Sequence, residues 1–247
     1  MLITVEELKD RKDALIIDAR DWHEYQEGHI PNAVNLDLFA FHFTDTSKEG
    51  IRLFDKMMSN LLASIGVSYD RFIVLYDNIT GILSARGLWL LHYFSHYNCA
   101  VLDGGFEEWK KYYPVEKEAN VPKPANFEPR INNDVLATID EVLNTNAILI
   151  DARSEEEYKG KIVRAARGGH IPKAINIDWN LNMNGNKLKS REELAELYNN
   201  FDEAICYCQG AYRAAHTYLA LRLLNKKAKV YLGSWYEYGN RLDLPVE

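Results

Sequence analysis

The chain has 247 residues, 47% of them hydrophobic, enough to bury one large core or two smaller ones. A formal net charge of −7 argues against a general nucleic-acid binder and against docking on an anionic membrane. Three cysteines make no disulfide framework, and no stretch approaches the roughly 18 apolar residues that span a bilayer, so a soluble, cytoplasmic protein is expected.

Met1 to Asp10 holds neither a basic leader nor a continuous apolar segment. Short apolar runs then alternate with amphipathic ones. Ala14 to Asp18 predicts a strand, Trp22 to Glu27 a helix, and Ala33 to Leu36 a strand. Lys56 to Ile65 predicts a helix, Phe72 to Tyr76 a strand, Ser84 to Phe94 a helix, and Ala100 to Leu102 a strand. Such alternation predicts the α/β class, a parallel sheet with helices on both faces. Cys99, at the head of the last strand, reads as a core residue. Pro114, Pro122, Pro124 and Pro129 follow in a polar stretch that cannot continue a helix or a central strand, so residues 116–130 read as an extended linker.

Beyond that stretch the plan returns. Leu15-Ile16-Ile17-Asp18-Ala19-Arg20, Glu24-Tyr25, Gly28-His29-Ile30-Pro31 and Ala33-Val34-Asn35 are echoed in order. Their counterparts are Leu149-Ile150-Asp151-Ala152-Arg153, Glu157-Tyr158, Gly169-His170-Ile171-Pro172 and Ala174-Ile175-Asn176. Leu102-Asp103-Gly104-Gly105-Phe106 to Trp109 has its counterpart in Leu232-Gly233-Ser234-Trp235. Two copies of one plan predict two similar domains, 1–115 and 131–247. Features present in both halves are expected to serve the fold. Asp18 with Arg20, and Asp151 with Arg153, therefore read as ties between loops and helix starts. His29 and His170 read as structural, because no ligand cluster at metal spacing accompanies either one.

Two features belong to the second half alone. The step from the aspartate to the histidine is 11 residues from Asp18 to His29 but 19 from Asp151 to His170. The additional stretch carries Lys159, Lys161, Arg164 and Arg167 into an acidic chain, as a solvated loop or as an anion-attracting rim. Cys208 is the other. It follows the strand-like Ala204 to Tyr207 and opens Cys208-Gln209-Gly210-Ala211-Tyr212-Arg213, ahead of the helix-forming Ala214 to Leu224. The first half has Asp77 at that place and a longer loop. A strand, a Gly-bearing loop and a helix start aim backbone N–H groups and the positive end of a helix dipole at one point. A thiol there ionises below its ordinary value of about 8.5 and becomes a nucleophile, whereas a plain core cysteine stays inert. Cys206, two residues upstream in the strand, reads as core.

These segments, with the closing Gly233-Ser234-Trp235-Tyr236-Glu237-Tyr238 and Leu244-Pro245-Val246-Glu247, resemble the tandem-domain rhodaneses, the thiosulfate and 3-mercaptopyruvate sulfurtransferases, over essentially the whole chain. The resemblance implies two rhodanese-like domains, the N-terminal one catalytically silent with Asp77 at the cysteine position and the C-terminal one active. It implies a six-residue loop, Cys208 to Arg213, in which Cys208 takes sulfur from a small anionic donor and passes it to a thiol, cyanide or a thioredoxin-like acceptor. Arg213 supplies cationic support, and Gln209, Gly210, Ala211 and Tyr212 supply the main-chain cradle. Arg164, with Arg167 as rival, corresponds to an anion-binding arginine, and no metal or organic cofactor is implied.

The chain departs from the pattern at two points. Gly210 stands one place early in Cys-Gln-x-Gly-x-Arg, and Glu157-Tyr158 occupies the neighbourhood of an arginine-aromatic pair found in well-studied members. The loop form of mercaptopyruvate enzymes, Cys-Gly-(Ser/Ala)-Gly-Val, is absent, which favours thiosulfate, with 3-mercaptopyruvate as the alternative donor. Two other classes compete. A Cys-dependent phosphatase needs five residues between Cys and Arg, where Cys208 and Arg213 enclose four. A non-enzymatic sulfur carrier or redox protein would use Cys206 with Cys208. The sequence leaves self-association open.

Overall fold

The computed structural model describes residues 1–247. Its first half runs β1 Leu2–Ile3, α1 Val5–Asp10, β2 Leu15–Asp18, α2 Trp22–Glu27, β3 Val34–Asn35, α3 Lys48–Ser64, β4 Ile73–Tyr76, α4 Ile82–Tyr93, β5 Cys99–Leu102 and α5 Gly105–Trp109. The second half runs β6 Leu136–Ala137, α6 Ile139–Asn144, β7 Ile148–Asp151, α7 Glu155–Tyr158 and β8 Ile175–Asn176, then β9 Met183–Asn184, β10 Lys187–Leu188, α8 Arg191–Leu197, β11 Glu203–Tyr207, α9 Tyr212–Leu223, β12 Lys227–Tyr231 and α10 Ser234–Tyr238. Short 3₁₀ turns, Leu38–Phe41 and Trp179–Asn182, follow β3 and β8.

Each half builds a five-stranded sheet, ordered β1-β5-β4-β2-β3 and β6-β12-β11-β7-β8. The two orders are the same when strands are matched by their place in the half, and the pairs are parallel. The α/β class and the parallel sheets are as the sequence predicts. The central strands are buried throughout, Ile73–Tyr76 and Ala204–Tyr207 among them, because helices cover both faces. Each buried Val, Leu or Ile contributes about 1.5–3 kcal/mol. Ile3, Val5, Ile16, Val74 and Leu102 meet in one core, and Ile139, Leu149, Ile205, Tyr231 and Trp235 in the other.

Contacts gather the chain into two compact units. The first holds Met1–His42, Leu53–Ile131 and Asn184–Leu188, and the second holds Phe43–Arg52, Asn132–Met183 and Lys189–Glu247. Residues 117–130 carry neither helix nor strand and count with the first unit, where Phe127 is buried against Tyr69 and Phe94. Helix α3 begins eight residues earlier than the periodicity suggests, because Ser47 Oγ accepts the Gly50 N–H at 3.1 Å and starts the first turn. Capping boxes start α1 (Thr4, Glu7), α7 (Ser154, Glu157) and α8 (Ser190, Glu193).

The repeated Asp-Ala-Arg is a frame in both units. Arg20 Nη2 donates to Asp18 Oδ2 at 2.5 Å and to the Gly28 carbonyl at 2.8 Å. Arg153 Nη2 does the same to Asp151 Oδ2 at 2.6 Å and to the Gly169 carbonyl at 2.8 Å. All four side chains are buried, and the tyrosines ending β4 and β11 complete the frame: the Tyr76 and Tyr207 hydroxyls each accept an N–H from a Gly-His-Ile-Pro turn, that of Ile30 and that of Ile171. His29 and His170 stack on Tyr25 and Tyr158 with ring centroids 3.8 and 3.7 Å apart, and each Nδ1 bonds that tyrosine's carbonyl.

Candidate active site

Strand β11 ends at Tyr207 in the middle of its sheet, and the chain leaves its C-terminal edge as Cys208, Gln209, Gly210 and Ala211 before α9 begins at Tyr212. The C-terminal edge of a parallel sheet is where α/β proteins assemble ligand sites. Cys208 is 1% exposed. Its N–H donates to Ser234 Oγ at 3.2 Å, its carbonyl accepts the Trp235 N–H at 2.9 Å, and the Gln209 carbonyl accepts the Tyr236 N–H at 3.0 Å. Ser234 Oγ in turn donates to the Tyr231 carbonyl at 2.8 Å. The start of α10 therefore clamps the loop by its outward groups.

Ala211 carries the left-handed φ of 69° that turns the chain into α9. It stands where the family pattern sets glycine, so the loop keeps that conformation at a cost of roughly 1–2 kcal/mol for the Cβ. Gly210 is buried and has no left-handed φ, so the early glycine is not the residue that makes the turn. Tyr212 and Arg213 form the first turn of α9.

The first unit repeats this construction without sulfur. The Asp77 carbonyl accepts the Phe106 N–H at 2.8 Å and the Asn78 carbonyl accepts the Glu107 N–H at 2.9 Å, which matches Asp77 with Cys208 and Phe106 with Trp235. The Asp77 carboxylate turns back into its own loop and accepts the N–H groups of Gly81, Leu83 and Ser84 at 3.1, 2.9 and 3.2 Å. An anion thus sits at the start of α4, where the backbone donors of a helix end are unpaired. Burial pushes Asp77 up to about 6, against the pull of those three donors. A cavity of about 770 Å³ lies in the same unit, lined by Arg20, Glu24, Asn78, Phe106 and Val115 among others.

Arg213 and Glu157 are joined by two bonds. Arg213 Nη1 donates to Glu157 Oε2 at 2.5 Å and Nη2 to Oε1 at 3.0 Å. Arg164 Nε approaches Glu157 Oε1 at 3.2 Å, and Gln209 Nε2 donates to the Arg164 carbonyl at 3.0 Å. Gln209 Oε1 is buried without a partner. Burial works against the Arg213 charge, but the Glu157 bonds and the nearby Cys208 sulfur keep its pKa raised. Burial likewise works against the Glu157 carboxylate, and Arg213 holds its pKa below the ordinary value.

Of the two arginines singled out in the inserted segment, Arg164 joins the Arg213–Glu157 pair, and its carbonyl is held by Gln209, the residue after Cys208. Arg167 is committed elsewhere: its guanidinium donates to the carbonyls of Leu244, at 2.7 Å, and Arg241, and its own carbonyl accepts Trp235 Nε1 at 3.2 Å. These bonds fasten the C-terminal turn. Cys206 is buried on β11, and burial above all, with the neighbouring Cys208 adding to it, raises its thiol pKa above the ordinary value. Burial pushes Cys99 up to about 12. No group of His, Cys, Asp or Glu is placed to hold a metal ion.

Sequence reasoning did not count Glu157 or Ser234 among the site residues. Glu157 was hidden because Glu24-Tyr25 repeats it, which marks it as a fold residue. The two glutamates do different work: Glu24 Oε1 accepts from Asn78 Nδ2 at 2.5 Å, while Glu157 takes Arg213. The signal lay in the charge of Arg213, which a buried helix start holds only with a carboxylate opposite.

A rhodanese-like domain model matches residues 4–112 and again 135–241. The chain is 30% identical to the thiosulfate sulfurtransferase of Azotobacter vinelandii over 247 residues, covering 95% of this chain and 91% of that one. It is 29% identical to the thiosulfate sulfurtransferase of Pseudomonas aeruginosa, with the same coverage. A crystal structure described as that of a "probable thiosulfate sulfurtransferase" superposes with a TM-score of 0.78 at 29% identity, over 96% of this chain and 98% of that one. EanB superposes at 0.85 with 19% identity over 100% of this chain and 68% of its own, a likeness of fold.

Proposed function

Since the chain belongs to the rhodanese family, as a sulfurtransferase with two rhodanese-like domains, we propose that it moves a sulfane sulfur from thiosulfate to a thiol or cyanide through a persulfide on Cys208. The observation that carries this reading is the match between Asp77 and Cys208. The first unit holds a carboxylate against the N–H groups that open α4, and the second sets a sulfur at the same point before α9. The silent domain is then the N-terminal one and the active domain the C-terminal one.

The Cys208 thiolate attacks the outer sulfur of thiosulfate. A new S–S bond forms, the S–S bond of the donor breaks, and sulfite leaves with the electron pair. The persulfide anion rests against the loop amides of Gln209 to Arg213 and the start of α9, a donor set fixed before the reaction by the clamp from Ser234, Trp235 and Tyr236. An acceptor thiolate or cyanide then attacks the outer sulfur and leaves as a persulfide or thiocyanate, and the Cys208 thiolate returns. Arg213 supports the negative charge, Arg164 draws the donor, and small anions and thiols are the partners.

Thiosulfate:cyanide turnover by the purified chain, lost in Cys208→Ser, tests the reading. Full activity in that variant refutes it. No helix is long and apolar enough to cross a membrane.

A further inference from the structure

Glu157 is the residue around Cys208 for which the transfer itself has no use. Its side chain is 4% exposed, and a carboxylate buried that far is held only by compensating charge and hydrogen bonds. It has both. Arg213 donates two bonds to it, Arg164 Nε lies at 3.2 Å, and its Oε2 accepts the Ser154 N–H at 3.2 Å. Arg213 and Arg164 therefore share one anion, and the cluster of Arg213, Arg164 and Glu157 carries a formal charge of +1 rather than +2. The matching glutamate in the first unit, Glu24, bonds Asn78, an uncharged side chain.

A donor that brings two negative charges meets a half-neutralised site. Its second charge gains less from Arg213 than it would from a bare guanidinium, and it faces the Glu157 carboxylate directly behind that guanidinium. A donor with one negative charge loses less. Arg164, 60% exposed, is open to a donor arriving from solvent, whereas Arg213 is 20% exposed and bonded twice to the buried Glu157. We propose that Glu157 is a positioning residue that sets the donor-charge selectivity of this site, by holding Arg213 and cancelling part of its field, so that the preference for the dianion thiosulfate over a monoanionic donor is smaller than the two arginines alone would impose. The proposal rests on the reading of Cys208 as the sulfur-accepting residue.

The test is the ratio of kcat/KM for thiosulfate to kcat/KM for 3-mercaptopyruvate, a monoanion at neutral pH. Being a ratio, it does not depend on how much of a variant is folded. Glu157→Gln keeps the shape and removes the charge. It is expected to raise the ratio about tenfold, mainly through a lower KM for thiosulfate, and added salt is expected to erase part of the gain. Glu157→Asp keeps the charge and is expected to keep the ratio within about threefold of the parent. Arg164→Gln leaves the Arg213–Glu157 fork intact and is expected to lower the ratio about tenfold. A purely structural role for Glu157 would depress both donors in parallel; a parallel loss, or a ratio unmoved in Glu157→Gln and in Arg164→Gln, overturns the proposal. Absence of a sulfur adduct on Cys208 in the parent protein would instead remove the reading beneath it.

Discussion

Asp77 and Cys208 hold the same place in the two units. Each follows the central strand of its sheet, and the carbonyl of each accepts an N–H from the helix that closes its half, Phe106 at 2.8 Å and Trp235 at 2.9 Å. One residue carries a carboxylate that consumes the donors of its loop, and the other carries sulfur. A single position thus separates a unit whose loop donors are taken by its own carboxylate from one that sets a thiol at the same point.

The buried carboxylate has a measurable cost. Burial raises Asp77 from 3.8 to about 6, so the folded protein binds that proton more tightly than the unfolded chain does. Its contribution is fully present below about pH 4 and is lost as pH rises through 6. Asp77→Asn, which keeps an oxygen acceptor for the loop amides, is expected to gain about 2–3 kcal/mol on the parent between pH 4 and 7. Urea midpoints measured across that range check it, and a difference that does not change with pH contradicts the assignment.

The two cysteines of β11 and its loop should separate cleanly. Cys206→Ala removes a small buried side chain, with an expected loss of about 1 kcal/mol in stability and turnover within about twofold of the parent. If turnover falls as far in Cys206→Ala as in Cys208→Ser, the two sulfurs act as a pair and the single-thiol account is wrong.

The Asp151–Arg153 frame is structural and expensive to break. Both side chains are buried, and Arg153 also holds the Gly169 carbonyl. Asp151→Ala leaves an uncompensated buried guanidinium and is expected to cost about 3–5 kcal/mol in chemical denaturation. A loss below about 1 kcal/mol would show that the frame is dispensable.

Arg164 and Arg167 lie three residues apart and should answer to different assays. Arg167→Ala releases the carbonyls of Leu244 and Arg241, so melting temperature falls by several degrees while the thiosulfate KM stays within about twofold. Arg164→Ala raises that KM about tenfold with little change in melting temperature. The reverse pattern would transfer the donor-binding role to Arg167.

Much of this was legible in the sequence, because the chain states its plan twice. The repeat of Asp-Ala-Arg and Gly-His-Ile-Pro exposes the strand ends and turns of both sheets, and the lone Cys208 stands out against Asp77. Local pattern could not show that Phe43–Arg52 counts with the second unit and Asn184–Leu188 with the first, since those memberships depend on contacts far along the chain. Edge strand β1 was missed because two residues, Leu2 and Ile3, give no period to count. The role of Glu157 was obscured by its own repeat: the same residue type in the same turn serves Asn78 in one unit and Arg213 in the other.

The most direct measurement is the intact mass of the protein after incubation with thiosulfate and removal of excess donor. The account predicts a gain of one sulfur atom, located on Cys208 by peptide mapping, lost on addition of cyanide and absent from Cys208→Ser. A parent protein that turns over thiosulfate without ever carrying that adduct, or that carries it on Cys206 or Cys99, contradicts the account.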